Sequence, residues 1–294
     1  MKHALVTGAT GFIGSALVGL LQAQGWQLTC AEHTTGYASL DFTGVDVVFH
    51  LAGLAHAGAR ASDEDAMYAA NVTLSQQLYA LTSAAHVPKF IWLSSIKVLG
   101  DVSDTPFVEE SPYKPNDVYA RSKVAAEEVL LSMRTTSTKL CIVRPPLVYG
   151  PGVKANFLAL VKLVDSPWPL PLKAATALRS LVSINNLVDF LSVLATSDDL
   201  SDRCVFHVKD AVDLSVADLV SQLRTAARRA ENMWPLPASL ALVAAKIIRR
   251  PDIAARLFEP LQIDAQQSLQ QLAWSPPYSQ HNELAQVMKW YQAQ

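Results

Sequence analysis

Cysteine, net charge and long apolar runs are all scarce in this sequence. The 294 residues include three cysteines. Their spacing matches no metal-ligand pattern, so we predict no metal site and expect Cys30, Cys141 and Cys204 to be reduced core residues, as in a cytosolic protein. The net charge of −2 gives no reason to expect nucleic acid or a membrane surface as a partner. The longest apolar stretch of the C-terminal part, 236–248, is too short to span a bilayer and contains Lys246.

Internal repeats and low-complexity segments are absent as well. Half of the residues are apolar and 17% are charged, which is typical of a compact globular protein and excludes a disordered chain. The length suffices for one large core or two modest domains. An apolar strand begins at His3 and leaves no room for a signal peptide, so we expect a soluble cytoplasmic protein.

Strand and helix patterns alternate along the first half of the chain. We predict strands at 3–6, 27–31, 45–51, 89–93 and 140–143, and helices at 12–24, 66–85 and 117–133. This alternation is typical of an α/β fold built on a Rossmann-type, doubly wound parallel sheet.

A glycine-rich turn joins the first strand to the first helix. In Thr7-Gly8-Ala9-Thr10-Gly11-Phe12-Ile13-Gly14, the first glycine permits a tight turn, the second lets the backbone approach a pyrophosphate, and the third allows close helix packing. The helix N-terminus adds free N–H groups, so we predict a nucleotide site. Glu32, about twenty residues further on, favours NAD because it can accept from both ribose hydroxyls. NADP is the alternative, since His33 beside it can carry positive charge.

The composition changes after residue 150, where prolines cluster at 167–171, 235–237 and 276–277. We expect residues 1–150 to form the dinucleotide-binding domain. Residues 151–294 are expected to form mostly a smaller substrate-binding lobe, with some helices and strands returning to the sheet. Ligands of open α/β sheets bind at the carboxyl ends of the strands, so this lobe is expected to cover that crevice.

A second motif, Tyr119-Ala120-Arg121-Ser122-Lys123, places a phenol and an ammonium on one helix face. A phenol with a pKa near 10 is a poor acid or base at neutral pH, and a nearby cation lowers that pKa by stabilising the phenolate. Beside a nucleotide site, this pair predicts hydride chemistry at a carbinol or carbonyl.

These two motifs, with several others in the same order, resemble the extended short-chain dehydrogenase/reductase family of NAD-dependent epimerases and dehydratases. The other matching segments are His50-Leu51-Ala52-Gly53, Asn71, Leu93-Ser94-Ser95 and Arg144-Pro145-Pro146-Leu147-Val148-Tyr149-Gly150-Pro151. The resemblance covers most of the chain and implies an enzyme that acts on a nucleotide-linked sugar.

The resemblance implies three catalytic residues. Ser95 corresponds to the residue that hydrogen-bonds the substrate oxygen, Tyr119 to the acid/base, and Lys123 to the lysine that holds the nicotinamide ribose and lowers the tyrosine pKa. Ser94 is expected to complete the strand end. The residues implied to contact the cofactor are Gly8, Gly11, Phe12, Ile13, Gly14, Glu32, Leu51, Ala52, Gly53, Asn71, Tyr119, Lys123 and Pro146.

The same resemblance implies contacts with the substrate besides Ser95. Asn156 and Arg179 match family residues at the diphosphate of the sugar nucleotide, where a guanidinium suits phosphate. Lys97 is expected either in the sugar pocket or in solvent. The segment 185–189 is expected to begin a helix with an Asx cap.

Two features depart from the family pattern. About a dozen residues separate Glu32 from the next long strand, so the usual third strand and its helix must be shortened or missing. Sugar 4,6-dehydratases of the family carry an Asp-Glu pair just after the catalytic serine or threonine. Ile96 and Lys97 occupy those positions, and we therefore reject dehydration.

Segments 94–98, 144–146, 154–157 and 169–172 look most like those of bacterial surface-polysaccharide enzymes. Our leading hypothesis is hydride transfer between NAD(P) and C4 of a UDP-hexose. Reduction of a UDP-4-keto-6-deoxy-N-acetylhexosamine, in O-antigen biosynthesis, is favoured over a UDP-sugar 4-epimerase with tightly bound NAD. A non-catalytic NAD(P)-sensing regulator is a remote alternative. The apolar faces of the two long helices are expected to form a homodimer interface or to be buried by the lobe.

Overall fold

The chain alternates strands and helices, as the sequence pattern predicts. The computed structural model describes residues 1–31, 37–55, 61–134, 137–237 and 257–294. Its strands are β1 (His3–Thr7), β2 (Gln27–Ala31), β3 (Val47–His50), β4 (Lys89–Leu93), β5 (Lys139–Arg144), β6 (Leu147–Tyr149), β7 (Leu178–Arg179), β8 (Leu181–Ser183), β9 (Arg203–His207) and β10 (Leu214–Ser215). Its helices are α1 (Phe12–Ala23), α2 (Ala61–Tyr68), α3 (Leu74–Ala84), α4 (Val118–Ser132), α5 (Ala155–Asp165), α6 (Ile184–Thr196), α7 (Val216–Ala226), α8 (Gln266–Gln271) and α9 (Gln280–Gln292).

The main sheet has six parallel strands in the order β2-β1-β3-β4-β5-β9. Successive side chains of a strand point to opposite faces, and both faces are buried here. Leu5, Val48 and Phe90 pack with residues of α3 and α4, whereas Val6 and Phe49 pack with residues of α1 and α6 on the other face. The predicted doubly wound α/β fold is confirmed.

Strand β2 lies at one edge of this sheet. Residues 37–46, between β2 and β3, form neither strand nor helix in the structure. This agrees with the expectation that the third strand and its helix are shortened or missing. Glu32 lies in the segment 32–36, outside the described residues, so its predicted contact with the ribose stays a prediction.

The long helix predicted at 66–85 is interrupted. A single π-helical turn, Ala69–Thr73, separates α2 from α3 and contains the buried Asn71. Such turns insert an extra residue into a helix, and periodicity alone does not reveal them. The Asx cap predicted for segment 185–189 is wrong. Ser183 caps α6 by accepting from the Asn186 N–H, and the Asn186 side chain donates to Asp210 instead.

The later part of the chain builds a second core around α5, α7 and α9. Phe157, Val220 and Val287 are among its buried residues. Two small two-stranded sheets, β6 with β8 and β7 with β10, border this core. Segment 184–207, comprising α6 and β9, belongs to the main sheet instead. The buried residues of this second core all follow the last catalytic motif, from Tyr149 onward.

The three cysteines are free thiols. Cys141 and Cys204 are buried, whereas Cys30 is exposed on the edge strand β2, so the prediction of a core position is wrong for that residue. None of the helices in the described residues is long and apolar enough to cross a membrane. The same part of the chain contains no group of three or more His, Cys, Asp or Glu side chains that could hold a metal ion.

Candidate active site

The glycine turn after β1 leaves no room for side chains at two of its three glycines. Gly8 has a φ of +71°, and a Cβ there would lie 2.7 Å from the Ala52 nitrogen. A Cβ on Gly14 would lie 2.0 Å from the Gly8 carbonyl oxygen. The Gly11 N–H donates to that same oxygen at 3.0 Å, which closes the turn. These contacts explain why both positions require glycine.

The turn leads directly into the N-terminus of α1. Gly11 is the N-cap residue, and no side chain caps the helix. The first-turn amides of a helix have no intrahelical acceptor and carry partial positive charge. Gly11 and Thr10 are exposed, so an anionic group can approach these amides from solvent. This cradle fits the pyrophosphate of a dinucleotide.

The end of β3 lies beside the glycine turn. The Leu51 N–H donates to the Thr7 carbonyl oxygen, and the Ala52 N–H donates to the Thr7 hydroxyl. A Cβ on Gly53 would lie 2.7 Å from Asn71 Oδ1 and 3.5 Å from Lys123 Nζ. The structure thus brings the predicted cofactor residues of β3 next to Asn71 and the catalytic helix.

Asn71 is fully buried in the π-helical turn, and its side chain bonds to two separate parts of the chain. Its Oδ1 accepts from the Leu54 N–H, while its Nδ2 donates to the Leu54 carbonyl and to the Ser122 hydroxyl, each at 2.9 Å. The side chain therefore joins the loop after β3 to α4. Sequence reasoning predicts a cofactor contact for Asn71, and its hydrogen bonds in the structure hold the backbone that would line the cofactor.

Ser95 and Tyr119 meet at the carboxyl end of β4. Ser95 begins a short 3₁₀ turn, Ile96–Val98, and its hydroxyl accepts from the Lys97 N–H. Tyr119 lies in the first turn of α4, which Asp117 caps by accepting from the Ala120 N–H. The Ser95 hydroxyl lies near enough to the Tyr119 phenol to favour the phenolate form. This pair can share a proton with a substrate oxygen placed between them.

Burial controls the acidity of Tyr119. Desolvation raises the pKa of its phenol to about 12, with a smaller rise from the Asp117 carboxylate, and the nearby Ser95 hydroxyl opposes both. The expected lowering of this pKa by Lys123 is therefore wrong in this structure, since desolvation of the phenolate exceeds every favourable interaction. At neutral pH, Tyr119 is a protonated phenol that can act as a general acid.

Lys123 is buried, with 5% of its surface exposed. Its Nζ donates to the Leu93 carbonyl oxygen at 2.8 Å and lies 4.4 Å from the centre of the Trp92 ring. Desolvation lowers the pKa of this ammonium to about 8, and the Glu127 carboxylate opposes the change. Lys123 is thus held against the end of β4, one helical turn after Tyr119.

Replacing Lys123 with methionine is expected to change stability in a pH-dependent way. The unfolded chain keeps the lysine proton up to about pH 10.5, but the folded protein keeps it only up to about pH 8. Between these values the unfolded state binds more protons, so wild-type stability rises with pH. Relative to Lys123→Met, we expect the wild-type free energy of unfolding, from urea titrations, to rise by about 3 kcal/mol across this range.

The control for this experiment is Lys114→Met, because Lys114 is exposed. Its difference from wild type is expected to stay constant with pH. A constant difference for Lys123→Met as well would contradict the burial of the ammonium.

Lys97 lies in a partly exposed ion-pair cluster. Its Nζ forms an ion pair with Asp117 and lies 3.6 Å from Asp101, and its predicted contact with the sugar stays a prediction. The preceding Ile96 is buried. The position of the dehydratase carboxylate pair is therefore filled by an apolar side chain and a paired cation.

The remaining predicted residues lie in three places. Pro146 is buried at the end of β5. Asn156 is exposed in the first turn of α5. Arg179, in β7, donates from Nη1 to the Glu259 carbonyl at 2.6 Å. Their predicted contacts with cofactor or diphosphate stay predictions, as does that of Phe12 and Ile13 at the start of α1.

Sequence reasoning missed a buried network behind the catalytic residues. Glu127 accepts hydrogen bonds from Ser94, Tyr113 and Arg144, and both Glu127 and Arg144 are almost fully inaccessible. The spacing contained a signal, because Tyr119, Lys123 and Glu127 follow one another at four-residue intervals and so share one face of α4.

Comparison with known proteins gives three kinds of match. The model of the NAD dependent epimerase/dehydratase family matches residues 4–212. UDP-glucose 4-epimerase of Vibrio cholerae is 34% identical over 94% of this chain and 91% of that protein. N-acetyl-alpha-D-glucosaminyl-diphospho-ditrans,octacis-undecaprenol 4-epimerase of Escherichia coli O157:H7 is 25% identical over 82% of this chain and 77% of that protein. The structure of MoeE5 in complex with UDP-glucose and NAD has a TM-score of 0.77 at 22% identity and 99% coverage of both chains.

Proposed function

Because the chain belongs to the NAD-dependent epimerase/dehydratase family, we propose that it inverts C4 of a UDP-linked hexose by reversible hydride transfer with a bound NAD. The observation that carries this proposal is the placement of Ser95 beside Tyr119 at the same end of the sheet as the glycine cradle. The 34% identity with a 4-epimerase over almost the whole chain supports inversion at C4 as the reaction.

The chain's own residues divide the work as follows. The amides of the glycine turn and of the first turn of α1 hold the pyrophosphate, and Lys123 holds the nicotinamide ribose. The bound nicotinamide supplies a hydride acceptor and donor. Tyr119 takes the proton of the C4 hydroxyl when that carbon is oxidised and returns it when the ketone is reduced. Ser95 donates a hydrogen bond to the same oxygen and stabilises the negative charge that develops there.

Reduction of a UDP-4-keto-6-deoxy-N-acetylhexosamine is a second candidate function, and it would place the protein in surface-polysaccharide biosynthesis. One observation favours it. Burial raises the pKa of Tyr119 to about 12, so the phenol is protonated at neutral pH. It can therefore protonate the C4 oxygen while the ketone is reduced. Oxidation of C4, which epimerisation also requires, needs the phenolate instead.

Turnover with and without added nucleotide distinguishes the candidates. The purified protein is incubated with UDP-glucose, UDP-galactose, their N-acetylated forms and a UDP-4-keto-6-deoxy sugar, and the products are separated by chromatography. An epimerase is expected to carry about one NAD per chain and to form the C4 epimer without added cofactor. A reductase requires the keto sugar with NADH or NADPH. Nucleotide binding without turnover of any sugar would contradict both and favour a regulator.

A further inference from the structure

Glu127 connects the strand end that carries Ser95 to the helix that carries Tyr119. Its carboxylate is 0% exposed. One oxygen accepts from the Ser94 hydroxyl, and the other accepts from the Tyr113 hydroxyl at 2.7 Å. Arg144 donates to both oxygens of Glu127. Its Nε lies 3.0 Å from Oε1, and its Nη2 lies 2.6 Å from Oε2. All the hydrogen-bonding capacity of this buried charge is used.

The network reaches four parts of the chain. Ser94 directly follows β4, Arg144 ends β5, and Tyr113 lies in the loop before α4. Arg144 also donates to the Glu109 carbonyl at 2.8 Å, which fixes the start of the same loop. Lys123 holds the Leu93 carbonyl at 2.8 Å. Two successive residues before Ser95 are therefore bonded to α4, one by the ammonium and one by the carboxylate.

The charges of this region are arranged around Lys123. Glu127 lies one turn further along α4, and its carboxylate opposes the lowering of the Lys123 pKa by burial. Arg144 on β5 pairs with that carboxylate, while Tyr113 stays a neutral donor because burial and Glu127 raise its pKa. Among the residues that the structure describes, the other groups near Lys123 are the phenol of Tyr119, with Asp117 near it, and the uncharged groups of Asn71, Leu93 and Trp92.

We propose that Glu127 is a positioning residue of the active site: it ties the chain just before Ser95 to the helix that carries Tyr119, and it sets its carboxylate one helical turn from the Lys123 ammonium. This inference rests on the proposed function, because it assigns those three residues to the reaction. Loss of the carboxylate would release Ser94 from α4 and would remove the only anion that interacts with Lys123 in the described part of the chain.

The test compares Glu127→Gln with wild type in kcat, KM and the pH profile of C4 epimerisation. A displacement of reacting groups by about 1 Å costs roughly 100-fold, so we expect kcat to fall roughly 10- to 100-fold with little change in KM. We also expect the alkaline limb of the profile to move about one pH unit lower, because an opposite charge at this range changes a pKa by that amount. An unchanged limb and kcat in the folded variant would overturn the proposal.

Two further variants separate positioning from a purely structural role. Glu283→Gln removes another buried carboxylate, one that accepts from Asn185; it is expected to lose stability but to keep the wild-type pH profile. Glu127→Gln combined with Arg144→Met leaves no unpaired buried charge and is expected to fold. If the alkaline limb of the double variant's pH profile is displaced as in Glu127→Gln, the positioning role of Glu127 is supported. If it regains wild-type kcat and limb, Glu127 serves only to neutralise Arg144 and the proposal fails.

A second readout does not depend on turnover. The pH dependence of the unfolding free energy, measured for Lys123 and Lys123→Met chains with and without Glu127→Gln, reports the pKa of Lys123 directly. The free energy of unfolding of the Lys123 chain, relative to that of the Lys123→Met chain, rises with pH. We expect this rise to begin at lower pH when Glu127 is replaced, and a rise that begins at the same pH would overturn the proposal. If the wild type turns over no UDP-sugar but the rise begins at lower pH in the Glu127 variant, the proposed function fails, while the interaction between Glu127 and Lys123 is supported.

Discussion

Tyr119→Phe is expected to lower kcat for C4 chemistry by roughly 1,000-fold, within the 10²–10⁴ range typical of a lost general acid or base. Phenylalanine keeps the ring in its half-buried site but cannot take or return the proton of the sugar oxygen. The hydroxyl that lies near Ser95 is lost as well. KM for the UDP-sugar is expected to stay within about threefold, since the lost interaction acts on the transition state.

Tyr149→Phe is the matched control for this experiment. Tyr149 is fully buried, and its hydroxyl donates to Asp210 at 2.6 Å in the core beyond the catalytic motifs. Its loss is expected to lower the free energy of unfolding by about 1–3 kcal/mol, because a buried carboxylate loses a partner, and to leave kcat nearly unchanged. If Tyr119→Phe retained kcat at the level of this control, Tyr119 would not be the acid/base.

Gly14→Ala is expected to weaken NADH binding by roughly 100-fold, the loss of about two charge-assisted hydrogen bonds. The added methyl group would lie 2.0 Å from the Gly8 carbonyl oxygen. Backbone cannot yield as a flexible side chain does, so the turn must move away from the helix and the amides lose their common direction. The same overlap is expected to lower the free energy of unfolding by roughly 1–3 kcal/mol.

Gly19→Ala in the same helix provides the comparison. A Cβ at that position meets nothing within 4 Å. Alanine favours helix over glycine, so this variant is expected to gain about 0.5–1 kcal/mol and to bind NADH as wild type does. Fluorescence titration with NADH measures the binding of both variants. Equal affinity of Gly14→Ala and Gly19→Ala would exclude the glycine turn as the cofactor cradle.

The fold was predictable because its signals are local. Short apolar runs alternate with helical periodicity, and Gly8 and Gly14 stand where a strand, a tight turn and a helix meet. Each of these signals depends on residues close in sequence, so the order of elements follows from the chain alone. The exact element boundaries were less predictable: the π-helical turn at Ala69–Thr73 and the Ser183 cap of α6 depend on tertiary partners.

The electrostatics of the site could not be predicted in the same way. The spacing of Tyr119 and Lys123 correctly places them one turn apart, but the pKa of each depends on how much water the folded protein removes. Desolvation raises one and lowers the other, so that both groups are driven toward their neutral forms. The ion pair of Lys97 was missed for a similar reason, because its partner Asp117 is twenty residues away in sequence and is adjacent only after α4 has packed.

The most direct test of hydride transfer at C4 is the fate of a deuterium placed on that carbon. UDP-galactose labelled at C4 is incubated with the purified protein without added nicotinamide nucleotide, and the product is analysed by NMR and mass spectrometry. We expect UDP-glucose that retains the deuterium at C4, because the hydride returns from the same bound carrier to the opposite face. Loss of the label to water, or no conversion of either C4 epimer with NAD present, would contradict the account.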